Sequence, residues 1–147
     1  MTETLETLRA LLAGLSDEEL RRPEGPGRWS LLDVLSHLGD LEMVYAVRMR
    51  DILAGSGDRA LQPLAQNAWV ERVHRREDET VEELLEQFAF HRRMNLALFS
   101  RLSEEEWERK GVHPQYGALS VRDAKGRIER HDAKHLAQME RIKACFA

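Results

Sequence analysis

The stretch Ser120 to Phe146, SVRDAKGRIERHDAKHLAQMERIKACF, decides how the whole chain is read. Ser120 followed by Asp123 opens a helix, because the hydroxyl can accept from a free N–H of the first turn and the carboxylate opposes its positive end. Behind that cap, Ala124, Ile128, His131, His135, Met139, Ile142 and Phe146 recur at steps of three and four and share one helix face. A face this apolar turns inward, and two of its members are imidazoles. Buried imidazoles give up hydrogen bonds to water and need an internal partner.

Moving towards the N-terminus, the same grammar predicts three more long helices. Thr80 with Glu83 opens the third, along Leu84, Phe88, His91, Asn95, Leu98 and Leu102. Ser30 with Asp33 opens the second, along Leu31, Val34, Leu38, Leu41, Tyr45 and Ile52, ending near Ala54 ahead of Gly55-Ser56-Gly57. Thr4 to Leu15 is the first, with Leu5, Leu8, Leu12 and Leu15 on one face. Ser16 with Glu19, and Ser103 with Glu106, cap two short acidic turns, and Trp69 to Arg76 reads as a short helical piece. No segment has strand period, and Gly111, Pro114 and Gly117 mark a loop. The expectation is one domain over 1–147, an all-α four-helix bundle. Residues 55–68 form a link long enough to carry the chain along the bundle, so the third helix need not run antiparallel to the second.

Bulk properties narrow the function classes. The chain has 147 residues and a formal net charge of −4. Without a basic excess it lacks the charge by which duplex-binding proteins gain most of their affinity, so nucleic acid is not an expected partner. Met1 to Arg9 is polar and acidic, with no signal-peptide core, and no segment approaches a bilayer span, so no membrane partner is expected. Cys145 is the single cysteine, which leaves no intrachain disulfide and no cysteine-based metal cluster. A cytoplasmic location is the expectation, with Cys145 packed as a small apolar residue.

The histidines carry the chemistry. Four residues advance a helix by about 400°, so His131 and His135 project from nearly the same side, one turn apart. His37 holds the matching place on the second helix, between Val34 and Leu41. Three imidazoles on two core stripes are mutually explicable if they share a divalent ion of the zinc type. Axial heights of about 10 Å for His37, and about 16 and 22 Å for the pair, permit convergence in parallel or antiparallel packing.

Trp29-Ser30-Leu31-Leu32-Asp33-Val34-Leu35-Ser36-His37-Leu38, with His131-Asp132-Ala133-Lys134-His135-Leu136-Ala137-Gln138, resembles the DinB/YfiT-like family of metal-binding four-helix bundles. Gly117 to Asp123 is similar to that family's approach to its last helix. The resemblance implies up-down-down-up topology, metal ligation by His37, His131 and His135, and homodimers. It also implies, for some members, S-transfer or isomerisation that uses a low-molecular-weight thiol.

Around the triad, Gln138 is placed at the cavity wall, Asp132 and Asp40 are candidate acceptors for a ring N–H, and His91 and Asn95 are boundary positions that could bond a water on the ion. His74 and His113 are expected in solvent, like the runs Glu77 to Glu79 and Glu104 to Glu106. Three neutral nitrogens leave an ion, zinc or nickel foremost, with an open position for water or a thiol. The expected function is a metal-dependent enzyme such as a thiol-dependent transferase. A metal-dependent hydrolase and a non-catalytic metal-binding or stress-associated module are the alternatives. No side chain is assigned as catalytic, and no His-Glu-x-x-His motif supplies a general base.

Overall fold

Five helices begin on the reciprocal bond pair that the sequence predicts. At Ser16, Ser30, Thr80, Ser103 and Ser120 the hydroxyl accepts from the backbone N–H three residues on, and the acid there accepts from the cap's own N–H. The computed structural model describes residues 1–146. The elements are α1 (Thr4–Leu12), α2 (Asp17–Arg21), α3 (Leu31–Ala54), α4 (Gln66–Arg72), α5 (Val81–Phe99), α6 (Glu104–Trp107), β1 (Lys110–His113), β2 (Gly117–Ser120) and α7 (Val121–Ala144).

Side-chain pairs fix the helix directions. Gly39 lies beside Gln87, and Glu42 bonds Arg92 and Asn95, so α3 and α5 ascend together and are parallel. Leu31 to Leu38 pack with Met139 and Ile142, whereas Leu41 to Ile52 pack with Val121 to Ile128, so α7 runs against α3. Leu8 and Leu12 share the Met139 and Ile142 cluster, and Thr4 bonds Asp132, so α1 follows α7. The order is up-down-down-up. A parallel α3 and α5 oblige the link to climb back the length of α3, about 36 Å at 1.5 Å per residue.

The apolar core falls into two clusters. One gathers α1, α2, the first half of α3, Leu84, Phe88, Met139 and Ile142. The other gathers the second half of α3, Leu98, Phe99, Leu119, Val121, Ala124 and Ile128. Between them lies a polar waist, where His37 and Glu42 on α3, Arg92 and Asn95 on α5, and Asp132 and His135 on α7 are all buried. Arg92 donates to Glu42 at 2.6 Å and to Asp132 at 2.8 Å, and Asn95 donates to the other Glu42 oxygen at 2.9 Å.

Several expectations need correction. The loop around Gly111 and Gly117 is a β-hairpin in which Lys110 to His113 pair with Gly117 to Ser120. Pro114-Gln115-Tyr116 and a left-handed Gly117 (φ 71°) make its turn, so the glycine and proline that signalled a loop were hairpin-turn residues. Its β1 edge also bonds the link, through Leu61 N–H to Val112 O at 2.9 Å and Val112 N–H to Arg59 O at 2.8 Å. A Cβ at Gly111 would lie 2.9 Å from Leu61 Cδ2 and 3.1 Å from Arg59 O, so only glycine lets the strands close on the link. The first helix stops at Leu12 because Gly14 turns left-handed (φ 75°), and the short piece before Thr80 begins at Gln66. On α5 the inward position is Arg92 while His91 is half-buried, since the guanidinium supplies the cation that Glu42 and Asp132 require. Cys145 is exposed, because Ile142 fills the inward place in the last turn of α7.

Removing one member of the waist would leave buried charge without a partner. Arg92→Ala is expected to lower stability by about 3–5 kcal/mol, measured by urea unfolding. A loss below about 1 kcal/mol would show that the network holds little together.

Candidate metal centre

Three elements of the sequence converge on one point. Asp33 and Ser30 start α3 so that His37 falls on its buried face, and Ser120 and Asp123 set the phase that brings His131 and His135 to the same face of α7. His37 and His135 are buried and His131 is half-buried. Ring centroids lie 4.8 Å apart for His37 and His135, 6.1 Å for His37 and His131, and 5.4 Å within the helical pair. One nitrogen from each ring can be chosen so that all three lie within 4.8 Å of one another. Nitrogens held by one zinc-type ion at about 2.0–2.1 Å stand roughly 3.3 Å apart, so modest ring rotations close the gap.

The hydrogen-bond accounting supports a missing partner. Both nitrogens of His37, Nδ1 of His131 and Nε2 of His135 are buried with no hydrogen-bond partner among the described residues. Orphaned polar atoms of this kind are costly in an apolar setting. Burial pushes His37 down to about 3 and His131 to about 4, and His135 is lowered for the same reason, so all three are neutral near pH 7. Neutral imidazole is the form a metal requires. His135 Nδ1 donates to Gln138 Oε1 at 2.8 Å, which fixes the tautomer and leaves Nε2 with its lone pair free. The residues fit a divalent ion.

The other candidates separate cleanly. Gln138 stands in the wall of the centre and also holds the His135 tautomer. Asp132 and Asp40 do not orient the triad: Asp132 accepts from Arg92 and Thr4, and Asp40 accepts from His74. The Asn95 amide nitrogen donates to Glu42, and its Oδ1 is buried without a partner among the described residues. Trp29, just before the Ser30 cap, closes one side of the centre with its ring 5.2 Å from His37 and 6.5 Å from His135, a role that spacing could not reveal.

His74 and His113, expected in solvent, are buried. His113 Nδ1 accepts from the N–H groups of Gln115 and Tyr116, so it braces the hairpin turn. His74 Nε2 donates to Asp40 at 2.8 Å and Nδ1 donates to Glu79 at 2.8 Å, which requires the doubly protonated ring. The bond to Asp40, with that to Glu79, holds its pKa up to about 9 against the effect of burial. This clasp anchors the segment after α4 to α3, and α4 supplies Gln66 and Asn67 to a cavity of about 310 Å³ that also reaches Trp29, His135 and Gln138. A second opening of about 160 Å³ reaches His131.

His135→Ala is expected to lose most bound metal, and Gln138→Ala to bind about 10–100-fold more weakly, by elemental analysis and metal titration. Full retention in His135→Ala would remove the centre. Because the His74 pKa is raised on folding, its stabilisation is complete below about pH 6.5 and disappears as pH rises through about 9. Wild type is therefore expected to exceed His74→Gln in stability by on the order of 2–3 kcal/mol at pH 6, with the difference gone near pH 10, by urea unfolding. A pH-independent difference would contradict the charged clasp.

Comparisons with known proteins agree with this architecture. The chain is similar to the uncharacterized protein YuaE of Bacillus subtilis (strain 168), 26% identical over 142 residues, covering 90% of this chain and 88% of that one. A protein of Geobacillus thermodenitrificans (strain NG80-2) named "Putative metal-dependent hydrolase" is 32% identical over 74 residues, 50% of this chain and 41% of that protein. Among solved structures, YfiT from Bacillus subtilis, described as "a probable metal-dependent hydrolase with an unusual four-helix bundle topology", superposes with a TM-score of 0.85 at 23% identity, over 98% of this chain and 82% of that one. No helix among the described residues is long and apolar enough to cross a membrane. The sequence profile of the DinB superfamily matches residues 1–139, and the chain belongs to that superfamily.

Proposed function

We propose that this protein is a divalent-metal-dependent enzyme acting on small molecules, with His37, His131 and His135 as the ligands of zinc or nickel. The observation that carries this reading is the convergence of three buried, neutral imidazoles whose inward nitrogens have no other partner. A divalent ion held by three neutral nitrogens keeps its positive charge, and so either lowers the pKa of a bound water to near 7 or holds a thiol as its thiolate.

The chain's own residues do the rest. Gln138 keeps the His135 lone pair pointed inward, and Trp29 shields one flank from water. The two openings beside His135 and His131 give a small substrate access. Among the described histidines, cysteines and acids no fourth group joins the triad, as a closed, purely structural site would require.

The state of the nearby acids supports thiol-dependent transfer as the reaction. Asp132, Asp40 and Glu42 are each tied to a cation, so no free carboxylate stands ready as a general base for water. A thiol is intrinsically far more acidic than water, so the ion has less to do to hold it as the nucleophilic thiolate. Hydrolysis is the second reading, favoured by the names given to the Geobacillus relative and to YfiT.

The test is an assay of zinc- and nickel-loaded protein against electrophiles with a panel of cellular thiols, run beside ester and amide substrates. Turnover is expected in the thiol arm, falling to background on chelation and in His135→Ala. Turnover in the ester or amide arm alone would select hydrolysis, and metal-independent rates throughout would refute the proposal.

A further inference from the structure

The acids and bases of the chain are unevenly spread. Overall, 26 acids outnumber 22 lysines and arginines, yet no acid lines either opening of the centre. The opening at His131 is walled by Arg127, Arg130 and Lys134, and Lys134 also lines the opening at His135.

Three other cations on α7 are neutralised, Arg122 by Glu104 and Glu108, Lys125 by Glu129, and Arg141 by Glu24, while Lys143, in the last turn, lines neither opening. Arg130 and Lys134 form no ion pair among the described residues, and both are exposed. Arg127 is packed over the Tyr116 ring at 3.6 Å rather than on an acid.

Unpaired positive charge beside a site for a divalent cation is unfavourable, since like charges repel and each lowers the affinity for the ion. Asp132, the acid nearest the triad in sequence, is committed to Arg92 and Thr4 and cannot offset it. A negative group arriving from outside would offset it. The larger mouth is also lined by His135, whose buried Nε2 has no partner among the described residues.

We infer that the openings beside His131 and His135 receive an anionic substrate, one bearing a carboxylate or phosphate that Arg130 and Lys134 hold while its other end reaches the triad. This inference rests on the metal-dependent activity proposed above. Gln66 and Asn67, across the larger opening, offer neutral amides that can bond the same molecule without repelling its charge.

The test compares zinc-loaded wild type with the double variant Arg130→Gln, Lys134→Gln, using succinate, inorganic phosphate and uncharged succinamide as probes in ¹⁵N NMR titrations. Zinc affinity is measured by chelator competition on the same samples. Succinate and phosphate are expected to bind wild type saturably and to weaken roughly tenfold or more in the variant. Succinamide is expected to show no such difference. Zinc affinity is expected to hold or rise, because positive charge has been removed; general damage would lower both affinities.

Anion binding unchanged in the variant, or absent in zinc-loaded wild type, overturns the assignment and leaves the metal centre standing. Wild type that takes up no zinc or nickel overturns the centre, and the anion inference with it. If the double variant loses its zinc, Lys134→Gln alone is read by the same criteria.

Discussion

Burying an imidazole nitrogen without a hydrogen-bond partner is unfavourable, and this bundle does it at both nitrogens of His37, at Nε2 of His135 and at Nδ1 of His131. The expense is tolerable only if something else satisfies the inward nitrogens, and the surrounding structure is arranged for that. Apolar clusters above and below keep water from the rings, burial keeps them neutral, and Gln138 removes the tautomer ambiguity at His135. Leucines at His37 and His135 would leave no buried nitrogen without a partner there. The presence of the imidazoles therefore argues for ligation.

The polar waist also explains the topology. With α3 and α5 parallel, Glu42 meets Arg92 and Asn95 at one level, and antiparallel α7 brings Asp132 to the same guanidinium. Because His131 adjoins Asp132, anchoring the acid fixes the height of His131 and His135 on α7. The long return from α3 to α5 then ceases to be slack. Its first part is bonded to the hairpin edge and its last part is clasped through His74 to Asp40, and between them α4 forms a wall of the larger opening.

Legibility in the sequence followed the range of the forces involved. Each of the five caps is a contact between residues three apart, so it is written locally, and the starts of α3, α5 and α7 follow from it. The triad was readable because His37, His131 and His135 interrupt otherwise apolar stripes. His74 was misread because its partner Asp40 lies 34 residues away, and His113 because its bonds to the N–H groups of Gln115 and Tyr116 exist only once the hairpin turn has formed. Arg92 was hidden next to His91, since a stripe of alternating three- and four-residue steps admits either neighbour and only the distant acids decide. The hairpin was masked by its own turn residues, which in isolation mean only a break in regular structure.

The two sets of charges near the centre have opposite effects on an ion. Inside the waist, Arg92 engages both Glu42 and Asp132, so the buried carboxylates that could quench a cation are turned away from the triad. Outside, Arg130 and Lys134 add positive potential at the openings. A site meant only to store metal would be better served by the reverse arrangement, with acids free to face the ion and the mouth neutral, since affinity rises with ligand charge. Three neutral nitrogens with acids withheld would leave the charge of an ion held there directed at the cavity, where the proposed substrate would meet it. An arrangement that gives up metal affinity to leave an ion's charge unquenched suits the proposed enzyme better than a store.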